Sequence, residues 1–315
     1  MHQRVGKCPS LCRTTAIAMM SCAIAIHGAA SCVSRAMANP DESGQLAYGG
    51  LTRTYTLHAP AGVTHPQALV VNLHGGGSTG RTQATLTHYD AVADANGFVV
   101  VYPDGIDKNW ADGRGASEPD RRGVDDVGFL TALAAKLVND FGIPRGHVFA
   151  TGISNGAFMT NRLACERADA FAAIAPVSGT LGTNITCAPS RPVAVFETHG
   201  TADPIVPFDG GTMTGRGGRS TIVSAPTMVD RWRDINGCQS DPLHDRVQGS
   251  DGMTVDRFVS PSCAAGSSVV FMRVDGGGHT WPGGPQYLPK VIIGPTTTAF
   301  DESQSSWDFF AAHAR

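Results

Sequence analysis

Apolar residues along this chain come in two rhythms. Residues 68–73 (Ala-Leu-Val-Val-Asn-Leu), 98–102, 147–151, 171–177, 193–198 and 269–274 are near-continuous apolar runs, the pattern of strands covered on both faces. Residues 51–57 alternate instead and predict an early strand. Between these runs, residues 82–95, 125–141, 157–167, 226–236 and 303–313 carry a helical period. Asn96-Gly97 and Gly142 supply helix-stop signals. Residues 106–123, rich in Gly, Asp and Arg, predict a loop over the carboxyl edge of the sheet, and residues 210–218 predict a glycine-rich loop. Strands that alternate with helices across short connections predict an α/β protein. Its sheet is mainly parallel with helices on both faces, a three-layer αβα sandwich. There is no internal repeat and no linker dividing two domains.

The first 38 residues stand outside that pattern. Arg4, Lys7 and Arg13 make a basic start, residues 16–26 are mostly apolar, and Ala36-Met37-Ala38 is a small-x-small cleavage site. This predicts a secretory signal peptide over 1–38, with one domain over 39–315. The apolar run is shorter than the roughly 20 residues that span a bilayer, and no other segment predicts a membrane span. A lipoprotein signal ending at Cys22 or Cys32 is the competing reading, but neither cysteine has a leucine three places earlier. Removing the leader takes the net charge from −3 to −7. With no Lys/Arg run, the sequence predicts no nucleic-acid partner. The bulk charge leans toward neutral or cationic substrates.

Four cysteines remain beyond the leader: Cys165, Cys187, Cys238 and Cys263. An even number in an exported chain predicts disulfides. The pairing Cys165–Cys187 and Cys238–Cys263 closes two short local loops, each worth on the order of 3 kcal/mol in the chain-entropy picture. No Cys-x-x-Cys pair or His-x-x-x-His spacing suggests a metal site.

Gly-x-Ser-x-Gly occurs twice, as Gly76-Gly77-Ser78-Thr79-Gly80 and as Gly152-Ile153-Ser154-Asn155-Gly156. Each follows an apolar strand. Ser78 comes directly after His74-Gly75-Gly76-Gly77, a loop that can present backbone N–H groups to an oxyanion. One strand end cannot easily supply both that loop and the nucleophile. Ser154 sits between a strand and a helix, the setting of a nucleophile elbow, and it leaves room downstream for an acid and a base. Ser154 is therefore the candidate nucleophile and Ser78 a turn serine.

A serine hydroxyl needs a base to take its proton and an acid to orient that base. In an open parallel sheet, both must come from loops at the carboxyl ends of strands. Asp203 lies just past the run 193–198, in His199-Gly200-Thr201-Ala202-Asp203-Pro204, and is the candidate acid; Asp209 and Asp230 are alternatives. His279 follows the last strand in Gly276-Gly277-Gly278-His279-Thr280-Trp281-Pro282-Gly283 and is the candidate base. His74 and His199 sit at strand ends and are read as structural. The N–H groups of Asn155 and of Gly76 are the expected oxyanion donors. Trp110 and Trp281 are candidates to line the substrate pocket.

Five motifs together resemble one known family. They are Leu73-His74-Gly75-Gly76-Gly77, Val101-Tyr102-Pro103-Asp104-Gly105, Gly152-Ile153-Ser154-Asn155-Gly156, His199-Gly200-Thr201-Ala202-Asp203-Pro204-Ile205-Val206-Pro207 and Gly277-Gly278-His279-Thr280-Trp281-Pro282-Gly283. From about residue 51 to residue 313 the chain resembles secreted α/β-hydrolase esterases of the polyhydroxybutyrate depolymerase and feruloyl-esterase-like type. The resemblance implies the α/β-hydrolase fold and the roles already argued for Ser154, Asp203 and His279. It also implies ester cleavage through an acyl-enzyme with no metal or organic cofactor. Hydroxyalkanoate oligomers and feruloyl or acetyl esters of plant polysaccharide are the implied substrates. Two departures bear on substrate. No linker and separate substrate-binding domain follow the last helical stretch, and Gly76 stands where many relatives have cysteine. Both leave the substrate open, and a soluble ester or oligomer is expected over a crystalline polymer. A serine peptidase on the same fold is the competing enzyme class, but a propeller or large lid has no room here. A non-catalytic binding protein is expected to have lost one of the three side chains.

Overall fold

The computed structural model describes residues 42–239 and 241–315, so the leader expected over 1–38 lies outside the described residues. The described residues belong to one compact unit. The strands are β1 (Glu42–Tyr48), β2 (Leu51–His58), β3 (Leu69–Leu73), β4 (Val99–Pro103), β5 (Val148–Ile153), β6 (Ala173–Val177), β7 (Ala194–Gly200), β8 (Gly211–Gly215), β9 (Gly218–Ile222), β10 (Leu243–Gln248), β11 (Thr254–Ser260) and β12 (Val269–Asp275). The helices are α1 (Gly80–Thr87), α2 (Tyr89–Asn96), α3 (Glu118–Arg121), α4 (Asp126–Phe141), α5 (Asn155–Glu166), α6 (Ala225–Ile235), α7 (Lys290–Ile293) and α8 (Glu302–Ala312).

One ten-stranded sheet runs β1-β2-β4-β3-β5-β6-β7-β12-β11-β10. Its centre, from β4 to β12, is parallel. Antiparallel pairs extend both edges, through β2 and β1 at one side and β11 and β10 at the other. Strands β3 to β7 are buried along their whole length, which is why their sequences are apolar without alternation. One core cluster packs α4, α5 and α6 on one face through Leu130, Met159 and Trp232. A second packs α2 and α8 on the other through Tyr89, Trp307 and Phe310. This is the α/β-hydrolase architecture expected from the sequence.

Three local expectations change. The helix expected over 82–95 is two helices, because His88 is left-handed (φ 51°) and ends α1 while starting α2. Tertiary bonds hold that break: Asn72 Nδ2 donates to Thr87 Oγ1 at 3.2 Å, and Ser303 Oγ donates to the Thr87 carbonyl at 2.6 Å. The glycine-rich segment 210–218 is not irregular but opens a hairpin of β8 and β9. Met213 and Ile222 anchor the hairpin on Phe158 and Val206. The sequence pattern does not predict β1, β10 or β11: β1 and β10 are largely exposed, and β11 buries the polar Asp256 and Ser260.

Disulfides join Cys165 to Cys187 and Cys238 to Cys263, the pairing expected from loop length. Among the described residues, no helix is long and apolar enough to cross a membrane.

Candidate active site

β5 delivers Ser154 and α5 leaves from it. Between them the backbone at Ser154 takes φ 58° and ψ −122°, a sparsely populated conformation for a residue with a side chain. A Cβ on Gly152 would lie 2.6 Å from the Leu73 carbonyl oxygen, and one on Gly156 would lie 2.2 Å from the same atom. Glycine at both places is thus enforced by the close approach of β3. Ser154 occupies the N-cap position of α5, yet its side chain makes no capping hydrogen bond. A serine there ordinarily spends its oxygen on a helix N–H. The elbow turns this side chain into a cavity instead.

The acid and base arrive on neighbouring strands. β7 and β12 pair in parallel with Val274 opposite Gly200, so the loops after them leave the same edge of the sheet. Those loops touch: Ala202 N–H donates to the Gly277 carbonyl at 3.0 Å. A Cβ on Gly200 would sit 2.2 Å from the Gly277 oxygen, so glycine lets the two backbones meet. His279 Nδ1–H donates to Asp203 Oδ2 at 2.8 Å. That bond leaves Nε2 as the acceptor nitrogen of a neutral imidazole. Asp203 Oδ1 accepts the N–H groups of Ile205 and Val206, each at 2.8 Å. Burial pushes the Asp203 carboxyl up, but the field and hydrogen bond of the His279 imidazole, with His199 and the Val206 N–H, together outweigh it and hold the group below its usual range. Ser154 and His279 line one cavity of about 280 Å³.

A second histidine stands behind the acid. His199 is fully buried. Its Nε2–H donates to the Val206 carbonyl at 3.0 Å and lies 3.7 Å from Asp203 Oδ2, while Nδ1 lies 3.4 Å from Glu197 Oε1. Burial lowers the His199 pKa, and burial with the Glu302 charge raises Glu197 well above the carboxylate range. A protonated Glu197 therefore faces a neutral His199. The role of His199 is structural, as its place at a strand end suggested.

His74 is a pin as well. Its Nδ1–H donates to the Gly75 carbonyl at 2.8 Å and its Nε2 accepts Gly105 N–H at 3.0 Å. In the loop that follows, Gly77 N–H goes to the Lys108 carbonyl at 2.7 Å and Ser78 N–H to the Gly75 carbonyl at 3.1 Å. Gly76, whose Cβ position lies 3.7 Å from Asn155 Cβ, lines the cavity beside Asn155. The Asn155 side chain is locked, with Oδ1 accepting Trp110 N–H at 2.7 Å and Nδ2 donating to Asp112 Oδ2 at 2.5 Å. Its backbone N–H is fixed with it.

The two tryptophans do not line the cavity. Trp110 is wholly buried, and its Nε1–H donates to the His74 carbonyl at 2.9 Å. It braces both sides of the expected oxyanion pocket from behind. Trp281 lies in the core, with Nε1–H donating to Ser303 Oγ at 3.0 Å. An indole whose N–H finds a buried partner is drawn inward, and spacing from the histidine carried no information on that. Much of the lining that sequence reasoning missed comes from two segments. The β8–β9 hairpin brings Met213 and Arg216, and the stretch after His279 brings Tyr287, Leu288, Ile292 and Ile293. Neither carries a motif, and both are placed by packing. Among the described residues, no cluster of His, Cys, Asp and Glu is placed to hold a metal ion.

The family described as Esterase PHB depolymerase matches residues 53–218. A protein of Nocardia uniformis subsp. tsuyamanensis, named as an esterase, NocK, is 30% identical over 283 residues, covering 84% of this chain and 81% of its own. Feruloyl esterase C of Emericella nidulans is 28% identical over 267 residues, covering 82% of this chain and 84% of its own. In fold, the chain is similar to an acetyl xylan esterase from Aspergillus awamori, at 16% identity and a TM-score of 0.59. That likeness covers 86% of this chain and 99% of the other.

Proposed function

We propose, from the premise that this chain belongs to the Esterase PHB depolymerase family and is a carboxylic-ester hydrolase, that Ser154, His279 and Asp203 carry its reaction. The observation behind the assignment is one cavity shared by a serine on a strained elbow and an imidazole held at 2.8 Å by a buried carboxylate. Ser154 Oγ attacks the ester carbonyl and gives its proton to His279 Nε2. Asp203 keeps Nδ1–H in place and balances the imidazolium that forms. The tetrahedral oxyanion takes hydrogen bonds from the Gly76 and Asn155 N–H groups; one such donor is typically worth about 10²–10³ in turnover. His279 then protonates the departing alcohol, leaving an acyl-serine. Water, deprotonated by the same Nε2, attacks the acyl carbonyl and releases the acid and the free serine.

Hydroxyalkanoate oligomers and feruloyl or acetyl esters are the substrates this reading favours, in keeping with the names of the relatives. Export follows from the leader expected over 1–38 and from the two disulfides, which persist in oxidising compartments. Residues 39–315 then form a single catalytic domain. A p-nitrophenyl ester assay on Ser154→Ala tests the assignment, together with mass spectrometry after a fluorophosphonate probe. The expected result is loss of turnover and a probe adduct on Ser154 of the unaltered chain. Retained turnover in the variant removes Ser154 from the reaction.

A further inference from the structure

The chain is acidic overall, yet among the described residues no aspartate or glutamate lines its substrate cavity. The charged or titratable side chains that do line it are Arg114, Arg216, His279 and Tyr287, whose hydroxyl donates to the His279 carbonyl at 2.9 Å. His279 is occupied by Asp203. Arg114 is occupied too: its guanidinium pairs with Asp112 at 2.6 Å and lies over the Phe158 ring at 3.7 Å. Arg216 differs from both. It makes no hydrogen bond or ion pair among the described residues.

Its position is nonetheless fixed. Arg216 sits at the turn of the β8–β9 hairpin, between Gly215 and Gly218, which pair with each other. Arg121 Nη1 donates to both the Gly217 carbonyl at 3.2 Å and the Ala116 carbonyl at 2.6 Å, tying the turn to the loop beneath. The Arg216 side chain folds over the glycine loop. A Cβ on Gly77 would lie 2.4 Å from its Cδ and its Nη1, and Arg216 Cβ stands 3.8 Å from the Cβ position of Gly76. Gly77 is left-handed (φ 79°), so nothing larger than hydrogen covers this face of the loop and the guanidinium rests on it. A free planar cation, held at the mouth of a carboxylate-free cavity, matches the geometry of a carboxylate.

We propose that Arg216 is the anchor of a carboxylate-binding subsite, so that the preferred substrate is an ester that also carries a free carboxylate. A short linear hydroxyacid oligomer, with its terminal acid on Arg216 and an internal ester at Ser154, has this chemistry. The proposal rests on the assignment of Ser154 as nucleophile, and it concerns the selection of substrate, not the bond-breaking step. The bulk charge of the chain pointed toward neutral or cationic substrates; the local wall of the cavity reverses that expectation, because a charge in contact counts for more than distant surface charges screened by salt.

The test compares the linear dimer of 3-hydroxybutyrate with its methyl ester, which differs only in the masked acid. The quantity read is the ratio of kcat/KM for the two. In the unaltered chain the acid is preferred, and the preference weakens with added salt. In Arg216→Gln the ratio falls by about tenfold or more, the usual weight of a charge-assisted contact, and Arg216→Lys restores part of it. An unchanged ratio overturns the proposal, whether both rates fall together or neither moves; the first of these would mean that Arg216 acts on the oxyanion or on cavity shape. Turnover of p-nitrophenyl acetate without turnover of either dimer also overturns it. Survival of p-nitrophenyl acetate turnover in Ser154→Ala is the separate outcome that sinks the nucleophile assignment instead.

Discussion

Two stretches of this chain read Gly-x-Ser-x-Gly after an apolar strand, and the fold treats them differently. At 76–80 the helix that follows is capped by Thr79, whose side chain accepts Thr82 N–H at 3.3 Å. Ser78 is one residue short of the cap and sits in a turn. At 152–156 the serine is itself at the cap position, but its strained backbone carries the hydroxyl away from the helix. The final glycines do not tell the two apart. A Cβ on Gly80 would meet the Tyr102 carbonyl at 2.1 Å, and one on Gly156 would meet the Leu73 carbonyl at 2.2 Å. The first glycines do. Gly152 is closed in by backbone at 2.6 Å, whereas Gly76 faces side chains, the nearest being Asn109 at 3.0 Å. A motif reports a tight turn; what the turn presents depends on which strand lies beside it.

The largest expected effect breaks this comparison directly. Ser154→Ala lowers kcat on a p-nitrophenyl ester by about 10⁴–10⁶, the range for loss of a serine nucleophile. Ser78→Ala, which removes an equal hydroxyl from the other motif, is expected to stay within about tenfold. Comparable losses would erase the distinction.

Next comes the group proposed to orient the base. Asp203→Asn is expected to cost on the order of 10⁴ in kcat through the wrong imidazole tautomer. In the unaltered chain Asp203 is held below the usual carboxylate range. It therefore stays ionised on mild acidification and keeps the imidazole oriented. Activity should fall on the acid side, because a base that already carries a proton cannot accept the one from serine. A flat profile from roughly pH 5 to pH 9 argues against a histidine base.

Third, the glycines sharpen the contrast as stability differences. Gly152→Ala forces a Cβ onto backbone that cannot yield and is expected to cost on the order of 1–3 kcal/mol or more. Gly76→Ala should cost less than that, since Asn109 can give way. Thermal melts of the two variants decide it, and equal losses count against the packing argument.

The smallest effect lies behind the acid. Burial and Glu302 keep Glu197 protonated well above its ordinary range, while the unfolded chain ionises it at the usual carboxylate pH. The folded state therefore binds the extra proton, and stability falls as pH rises from the ordinary carboxylate range toward the raised value. Glu197→Gln removes that slope. Melting temperatures of the variant should decline less steeply toward alkaline pH than those of the unaltered chain; parallel curves exclude the effect.

Legibility in the sequence tracked burial. Strands β3 to β7 and β12 were readable because a doubly covered strand must be apolar throughout. The disulfide pairing was readable because both loops are local. Asp203 and His279 were readable because each follows a strand within a few residues, although only the adjacency of β7 and β12 brings them to 2.8 Å. The edge strands, the break at His88 and the hairpin at 211–222 were not, since exposed or glycine-rich segments owe their shape to what they pack on. Trp110, by sequence a candidate pocket wall, is a brace, because the partner of its indole N–H lies 36 residues away in sequence.

By itself, then, the order of residues determined the alternating β/α framework, the two crosslinks and the three side chains proposed for chemistry, since local pattern and strand ends dictate these. Tertiary structure alone decided which serine bends out of its helix and that Arg216 lies over the glycine loop with no hydrogen bond or ion pair among the described residues. Strand order and loop contact are long-range properties, and no local pattern encodes the neighbour that a side chain will meet.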